Sequence, residues 1–376
     1  MSASGPAESP DFPRTRRVLE EGVELGWHSA TLLSVRTADG PVTDMAIGRT
    51  LDGVAATGKH LAPLFCAAKP LLVVALARLV TQERLSWEDP VARFVPEFGR
   101  HGTSGATLRH LLDHSIGLSA DPVEIIGLRW AAALRAICRT PAHPGWTAGV
   151  EHAYLPFTSW YLMGEVLTRV SGVPLAEFLR REVLGPLGLR HTYVGMSTEE
   201  FERTRPVLAG VGSRQVRGDP AAHLFRLPVD GPDVCGDVGP ASARSTMADL
   251  ARLYAVIGLR PHPPVGVGED VWAEVTAPPN SAVFDQRHKV WTRLGMGVVF
   301  EGRQLGEGSR VFGPECSPDT RGHRGLGSIV AYADPRTGIA VAMFFDITNE
   351  ALMNRARIDR TSAAVYQDWL DGNRHG

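Results

Sequence analysis

The stretch "LFCAAKPLLVVALARLV", Leu64–Val80, decides how the chain is read. After Pro70 it is almost wholly apolar, and a helix that is apolar all round is a buried one. Yet it opens with a thiol, Cys66, and an amine, Lys69, three residues apart. On a helix, positions i and i+3 share a face, so both side chains can enter one cleft. At a helix start the unpaired N–H groups and the dipole favour an anion, and a thiol beside a cation ionises more readily than a free one. A desolvated lysine can act as a base or as a counter-ion. Pro70 falls in the first turn, where it is tolerated. The plainer reading is a buried free thiol beside a lysine that snorkels to solvent.

Composition narrows the setting. The 376 residues carry a formal net charge of -2 and are 44% hydrophobic, ample for a large core. Near-neutral charge without a basic block excludes nucleic acid or an anionic membrane as the main partner. No apolar run reaches the roughly 20 residues that span a bilayer. The opening "MSASGPAESPDFPRTRR" has no apolar signal core, which predicts a cytoplasmic protein with a disordered tail over residues 1–13. Four cysteines in this length read as reduced thiols, not a disulfide framework. Of 39 basic residues only Lys59, Lys69 and Lys289 are lysine. An amine behind Cys66 can lose its proton, which arginine cannot.

Working outward, Thr15–Leu25 reads as an amphipathic helix, and Ala30–Gly48 as two strands joined at Asp39-Gly40. The Cys66 helix should end near Arg84. A long middle, rich in Pro, Gly and helical patterns, runs to about Val275. Strand signals return in "LGMGVVFEG" and in "GSIVAYADPRTGIAVAMFFD", which turns at Asp334–Gly338; a helix over about Glu350–Leu370 closes the chain. The order predicts an α+β fold. Its antiparallel sheet is flanked by N- and C-terminal helices and built from residues 14–84 and 280–376, with a mostly helical domain inserted over residues 85–279. A cleft between them is the default site.

Several ordered motifs resemble the serine β-lactamase and penicillin-binding-protein family, mainly its class C-like esterase branch. Cys-Ala-Ala-Lys stands where that family has Ser-x-x-Lys. It is followed by "LVTQERLSWEDPVARFVPEF", then "TLRHLLDHSIGL", then "AYLPFTSWYLMGEVLTRVSG", and finally "GHRGLGSIVAYADPRTGIAVA". The resemblance covers roughly residues 20 to 370 and implies a covalent acyl-enzyme chemistry without cofactor or metal. Carried over position by position, it implies Cys66 as nucleophile and Lys69 and Tyr154 as proton carriers. His323, in His323-Arg324-Gly325, would hydrogen-bond the leaving or entering group. Backbone N–H groups at position 66 and near Leu326–Ser328 would form the oxyanion hole. Arg324, Gly325, Leu326, Phe157 and Trp160 are the substrate-binding candidates, with Trp130 and Trp146 as further aromatic ones. The family layout would bring "DVCGDVGPASARSTMADLARLY" near the cleft, and its Gly-rich part reads as a substrate loop.

Two departures bear on function. The family's Tyr-x-Asn appears as Tyr154-Leu155-Pro156, without the amide that binds β-lactams. Its nucleophilic serine appears as Cys66, either natural or a serine replacement. A thioester favours amines over water more than an oxygen ester does. The first expectation is therefore a transacylase joining a small-molecule acyl donor to an amine acceptor without ATP, in a biosynthetic pathway such as that of an antibiotic. An esterase or amidase is the alternative, and a ligand-binding sensor a third reading. The i, i+4 pair His110 and His114 in "RHLLDH" suits zinc, but the acid between them is Asp113, outside the usual His-Glu pattern. Cys138, Cys235 and Cys316 have no metal-ligand spacing.

Overall fold

A computed structural model of the chain describes residues 12–122, 125, 128–213, 239, 242–260 and 262–373. The expected antiparallel sheet is present. Its strands are β1 (Ala30–Arg36), β2 (Pro41–Gly48), β3 (Val283–Asp285), β4 (Val290–Leu294), β5 (Val299–Phe300), β6 (Arg321–Gly325), β7 (Ile329–Asp334) and β8 (Ile339–Phe345). They run in the order β2-β1-β8-β7-β6-β5-β4-β3, every neighbour antiparallel. Around them pack α1 (Pro13–Glu24), α2 (Lys69–Thr81), α3 (Leu108–Leu112), α4 (Trp130–Arg139), α5 (Pro156–Ser171), α6 (Met247–Gly258) and α7 (Ala351–Gly372).

The central strands are apolar without alternation because both faces of the sheet are covered. Side chains still alternate by period two. Leu33, Val35, Tyr332, Val341 and Met343 join Leu19 of α1 and Ile358 and Val365 of α7 in one core. Leu32, Ala331, Ala333, Ala340 and Ala342 face the other, larger core, which includes α6. That face is alanine-rich because α6 lies close: a Cβ on its Gly258 would sit 2.4 Å from the Ala333 Cβ. So α6, within the stretch read as a helical insertion, itself covers the sheet.

The tail expected over residues 1–13 lies outside the described residues except for Phe12 and Pro13. Both belong to the fold: Pro13 opens α1 and Phe12 is buried in the core. The Asp368 carboxylate of α7 accepts from the backbone N–H and the hydroxyl of Thr15, both at 2.8 Å, supplying the start of α1 with the cap its own sequence lacks. Among the described residues no helix is long and apolar enough to cross a membrane.

Candidate active site

The Cys66 stretch departs from the expected helix at its front. Phe65–Ala68 form a 3₁₀ turn, and α2 begins only at Lys69. The geometry still joins thiol and amine, since side chains at i and i+3 eclipse in a 3₁₀ turn. Phe65 has φ +46°, a left-handed conformation costly for a bulky residue. The surroundings enforce it. Leu64 N–H donates to the Ala243 carbonyl at 2.9 Å, and the Tyr254 hydroxyl donates to the Ala67 carbonyl at 3.1 Å. Behind the turn, α2 is buried over nearly its whole length and fixes the seat rigidly.

Strand β6 passes directly against this turn. A Cβ at Gly325 would lie 2.9 Å from the Phe65 Cβ and 3.0 Å from the Leu64 carbonyl oxygen, so the motif needs glycine there. The chain then turns into β7 through Leu326 (φ +46°) and Gly327 (φ +71°). Ser328 N–H is committed to the Gly325 carbonyl at 3.0 Å, which leaves Leu326 and Gly327 as the backbone donors expected in this segment.

Lys69 is 1% exposed, and its Nζ donates to the Tyr154 hydroxyl at 3.3 Å. The Cys66 sulfur lies next to Tyr154 on the same cleft. Burial, then the adjacent Cys66 sulfur, hold the phenol well above its ordinary pKa, so Tyr154 rests protonated. The three side chains adjoin in the order amine, phenol, thiol, an order that can pass a proton along it.

Tyr154 is placed by its backbone neighbours. Its N–H donates to Asp285 Oδ1 at 3.1 Å, and Leu155 N–H donates to His114 Nδ1 at 3.2 Å. Pro156, where the family has an amide, is the first residue of α5, a position that suits proline. The Asp121 carboxylate accepts from the Phe157 and Thr158 N–H groups at 3.4 and 2.8 Å and caps that helix from a distance.

Cys66, Tyr154, Phe157, His323, Arg324 and Leu326 all line one cleft of about 620 Å³. His323 is buried, and its Nε2–H donates to the Gly297 carbonyl at 3.0 Å. Burial, then Lys69, push its pKa down to about 3, so the ring is neutral and Nδ1 is its remaining acceptor. Arg324 is exposed.

Other sequence candidates lie elsewhere. Trp160 does not line the cleft; it is fully buried in the core, on the inner face of α5. Trp130 donates to Glu165 at 2.8 Å beside a separate groove. His110 and His114 do not share a helix face, because α3 stops at Leu112 and His114 has φ +63°. Each has its Nδ1 occupied by a backbone N–H, of Thr107 and Leu155 respectively. Among the described residues no group of three or more His, Cys, Asp or Glu could hold a metal ion. Cys138 and Cys316 are buried, and burial pushes their thiols up to about 11 and about 12. Cys235 and, Gly239 apart, the Gly-rich part of the expected substrate loop lie outside the described residues, whereas the rest of that stretch runs into α6 at Met247.

Sequence reasoning missed Asp285 and His288, which line the same cleft. His288 Nδ1 lies 2.6 Å from Asp285 Oδ2, and its ring centroid lies 5.6 Å from that of Tyr154. The only signal was their place in a hairpin far from every recognised motif.

The family model described as Beta-lactamase matches residues 16–365. The chain belongs to the beta-lactamase family. Among curated relatives, the Mycobacterium tuberculosis protein named "Esterase/beta-lactamase LipL" is 25% identical over 74% of this chain and 68% of its own. An Escherichia coli relative, 23% identical over 72% of this chain, is matched over only 64% of its own length. The chain thus spans about two thirds of these relatives. Among solved structures, a penicillin-binding protein homologue from Caulobacter crescentus superposes with a TM-score of 0.76 at 23% identity, over 98% of this chain and 99% of that one. A structure described as "EstCE1, a hydrolase with promiscuous acyltransferase activity" gives 0.72 at 19% identity, over 94% and 98%. The beta-lactamase fold in such proteins serves hydrolysis and acyl transfer.

Proposed function

We propose that this beta-lactamase-family chain is a transacylase that forms an amide from an ester donor and an amine through an S-acyl intermediate on Cys66. The relay of Lys69, Tyr154 and Cys66 carries the reading. In the first half-reaction the Cys66 sulfur attacks the ester carbonyl, and the thiol proton leaves through Tyr154 and Lys69 to the departing alkoxide. Backbone N–H groups of Cys66 and the Leu326–Gly327 turn face the developing oxyanion. Neutral His323 accepts a hydrogen bond from substrate through Nδ1. In the second half-reaction an amine attacks the thioester, the C–S bond breaks, and Cys66 is regenerated. No ATP is needed because the donor ester brings the activation. A free thiol nucleophile suits a reducing, cytoplasmic, biosynthetic setting.

Hydrolysis is the second reading. It is favoured by the opening of the cleft to water at His288, whose side chain is 54% exposed, and by the esterase name of the Mycobacterium tuberculosis relative. The test is intact-protein mass spectrometry with a panel of esters, with and without amines. A stable mass increase on Cys66 that is removed by an amine supports the transacylase. Acylation elsewhere, or none across the panel, overturns it.

A further inference from the structure

The relay toward Cys66 is closed to solvent, Lys69 being 1% exposed, while the acceptor must enter from solvent with a proton to lose. On the open side of Tyr154 stands a second titratable pair, His288 and Asp285.

The pair is built from a buried carboxylate. Asp285 is 3% exposed and ends β3. Its Oδ1 accepts from the N–H groups of Tyr154 and Arg287, at 3.1 and 2.9 Å. Its Oδ2 faces His288 Nδ1 at 2.6 Å. Burial alone would raise this carboxyl, but the bonds from His288 and from the Tyr154 and Arg287 N–H groups outweigh it and hold Asp285 below its ordinary pKa, ionised. An ionised acceptor on Nδ1–H fixes the tautomer and leaves Nε2 as the ring's proton acceptor.

The loop that carries His288 is held at several points. Lys289 N–H donates to the Asp285 carbonyl at 2.8 Å, with Lys289 at φ +56°. Gln286 N–H donates to the His152 carbonyl at 2.9 Å. Arg287 pairs with Asp121 at 3.0 Å, the same carboxylate that caps α5 after Tyr154. One set of bonds thus ties the histidine to the Tyr154 segment. A purely surface ion pair would not need a buried carboxylate already loaded by two backbone N–H groups.

We propose that His288 is the base of the second half-reaction and that Asp285 is its positioning residue, an assignment that rests on the acyl-Cys66 reading above. The acceptor N–H or O–H proton passes to His288 Nε2 as the acceptor attacks the thioester carbonyl. The C–S bond breaks, Cys66 leaves as thiolate, and Tyr154 returns a proton to it. His288, on the open side of Tyr154, then hands its proton back to the phenol through the cleft, so the acceptor's proton ends on Cys66 and both groups are restored. Acylation needs none of these transfers, so the pair acts on discharge alone.

The test separates the two half-reactions. The protein is treated with a p-nitrophenyl ester. Nitrophenolate release reports acylation, and loss of the acyl mass after addition of a primary amine or water reports discharge. In His288→Ala we expect acylation within about threefold of the unmodified protein and discharge slowed at least about 10²-fold, the lower scale for a general base. Added imidazole should restore part of the discharge rate. Asp285→Asn, which keeps an acceptor for the two N–H groups, should show the same one-sided loss with its Tm little changed. Unchanged discharge in His288→Ala, or an equal loss in both phases, overturns the assignment while leaving acyl-Cys66 intact. Absence of any acyl mass on Cys66 in the unmodified protein defeats both.

Discussion

Lys69 Nζ lies 3.3 Å from the Tyr154 hydroxyl, joining the start of α2 to a residue two positions before α5 across 85 positions of sequence. Neither side chain has that role alone: Tyr154 is held protonated by burial and needs an exchanging partner. Lys69→Arg keeps the charge and removes a group that can cycle its proton. We expect kcat/KM for ester turnover to fall at least about 10²-fold in Lys69→Arg and also in Tyr154→Phe. Stopped-flow assays of both variants check this, and near-unmodified rates in both would remove the relay from the mechanism.

Thiol reactivity should be confined to one described cysteine. Cys66 lines the cleft, whereas burial holds Cys138 and Cys316 as thiols up to about pH 11 and 12. Iodoacetamide at pH 7 should alkylate Cys66 first, and Cys66→Ala should fold but not turn over. Peptide mapping of the labelled protein decides it; alkylation of Cys138 at the same rate would contradict the burial argument.

Gly325 is held to glycine by close approach. A methyl there meets the Ile329 Cγ2 at 2.6 Å as well as Phe65 and Leu64. Gly325→Ala should cost about 1–3 kcal/mol by overpacking and displace the turn that seats Cys66. The measurements are Tm and the acylation rate. A variant with unmodified acylation would show that β6 and the Phe65 turn have slack between them.

A pH response should come from His28, away from the cleft. It is buried, its Nε2 donates to the Leu19 carbonyl at 3.1 Å, and burial, then Arg357, push its pKa down to about 4. The unfolded chain binds this proton near pH 6.5, the folded chain only near 4, so stability is full above about pH 6.5 and falls as pH drops between them. The loss approaches about 3 kcal/mol for this group. Buried Asp249, Glu301 and Asp346, all held above their ordinary pKa by burial, oppose it at the acid end. Urea unfolding of the unmodified protein and His28→Gln from pH 7 to 5 should therefore show a shallower slope for the variant; parallel slopes would mean His28 is protonated in the fold.

Much of this arrangement was legible because local rules set it. The β1–β2 and β7–β8 hairpins announce themselves by Gly40 and by Asp334–Gly338, and Cys66-x-x-Lys69 by a spacing that α-helical and 3₁₀ geometry both satisfy. What failed depends on distant neighbours. The left-handed Phe65 is imposed by Ala243 and β6, not by its own preference. Trp160 follows the inward face of α5 into the core, although Phe157, one turn earlier, reaches the cleft. Asp285 and His288 meet Tyr154 only through sheet topology, 131 positions from the residue whose N–H Asp285 accepts.

Sulfur at position 66 should set the fate of the acyl group. Cysteine and serine differ by one atom, and a seat defined by the Phe65 turn and by α2 should hold either, so Cys66→Ser changes the chemistry more than the geometry. An oxygen ester in the same oxyanion site is less selective for amines over water than a thioester. With one ester donor and one primary amine, the unmodified protein should yield mostly amide, and its acyl-enzyme should persist until the amine is added. Cys66→Ser should move the partition toward free acid. Chromatographic measurement of acid and amide for both proteins, corrected for the uncatalysed reaction, gives the ratio. If the Cys66 protein yields only free acid across a broad panel of amines, the thiol does not serve aminolysis, and the hydrolase reading replaces the transacylase.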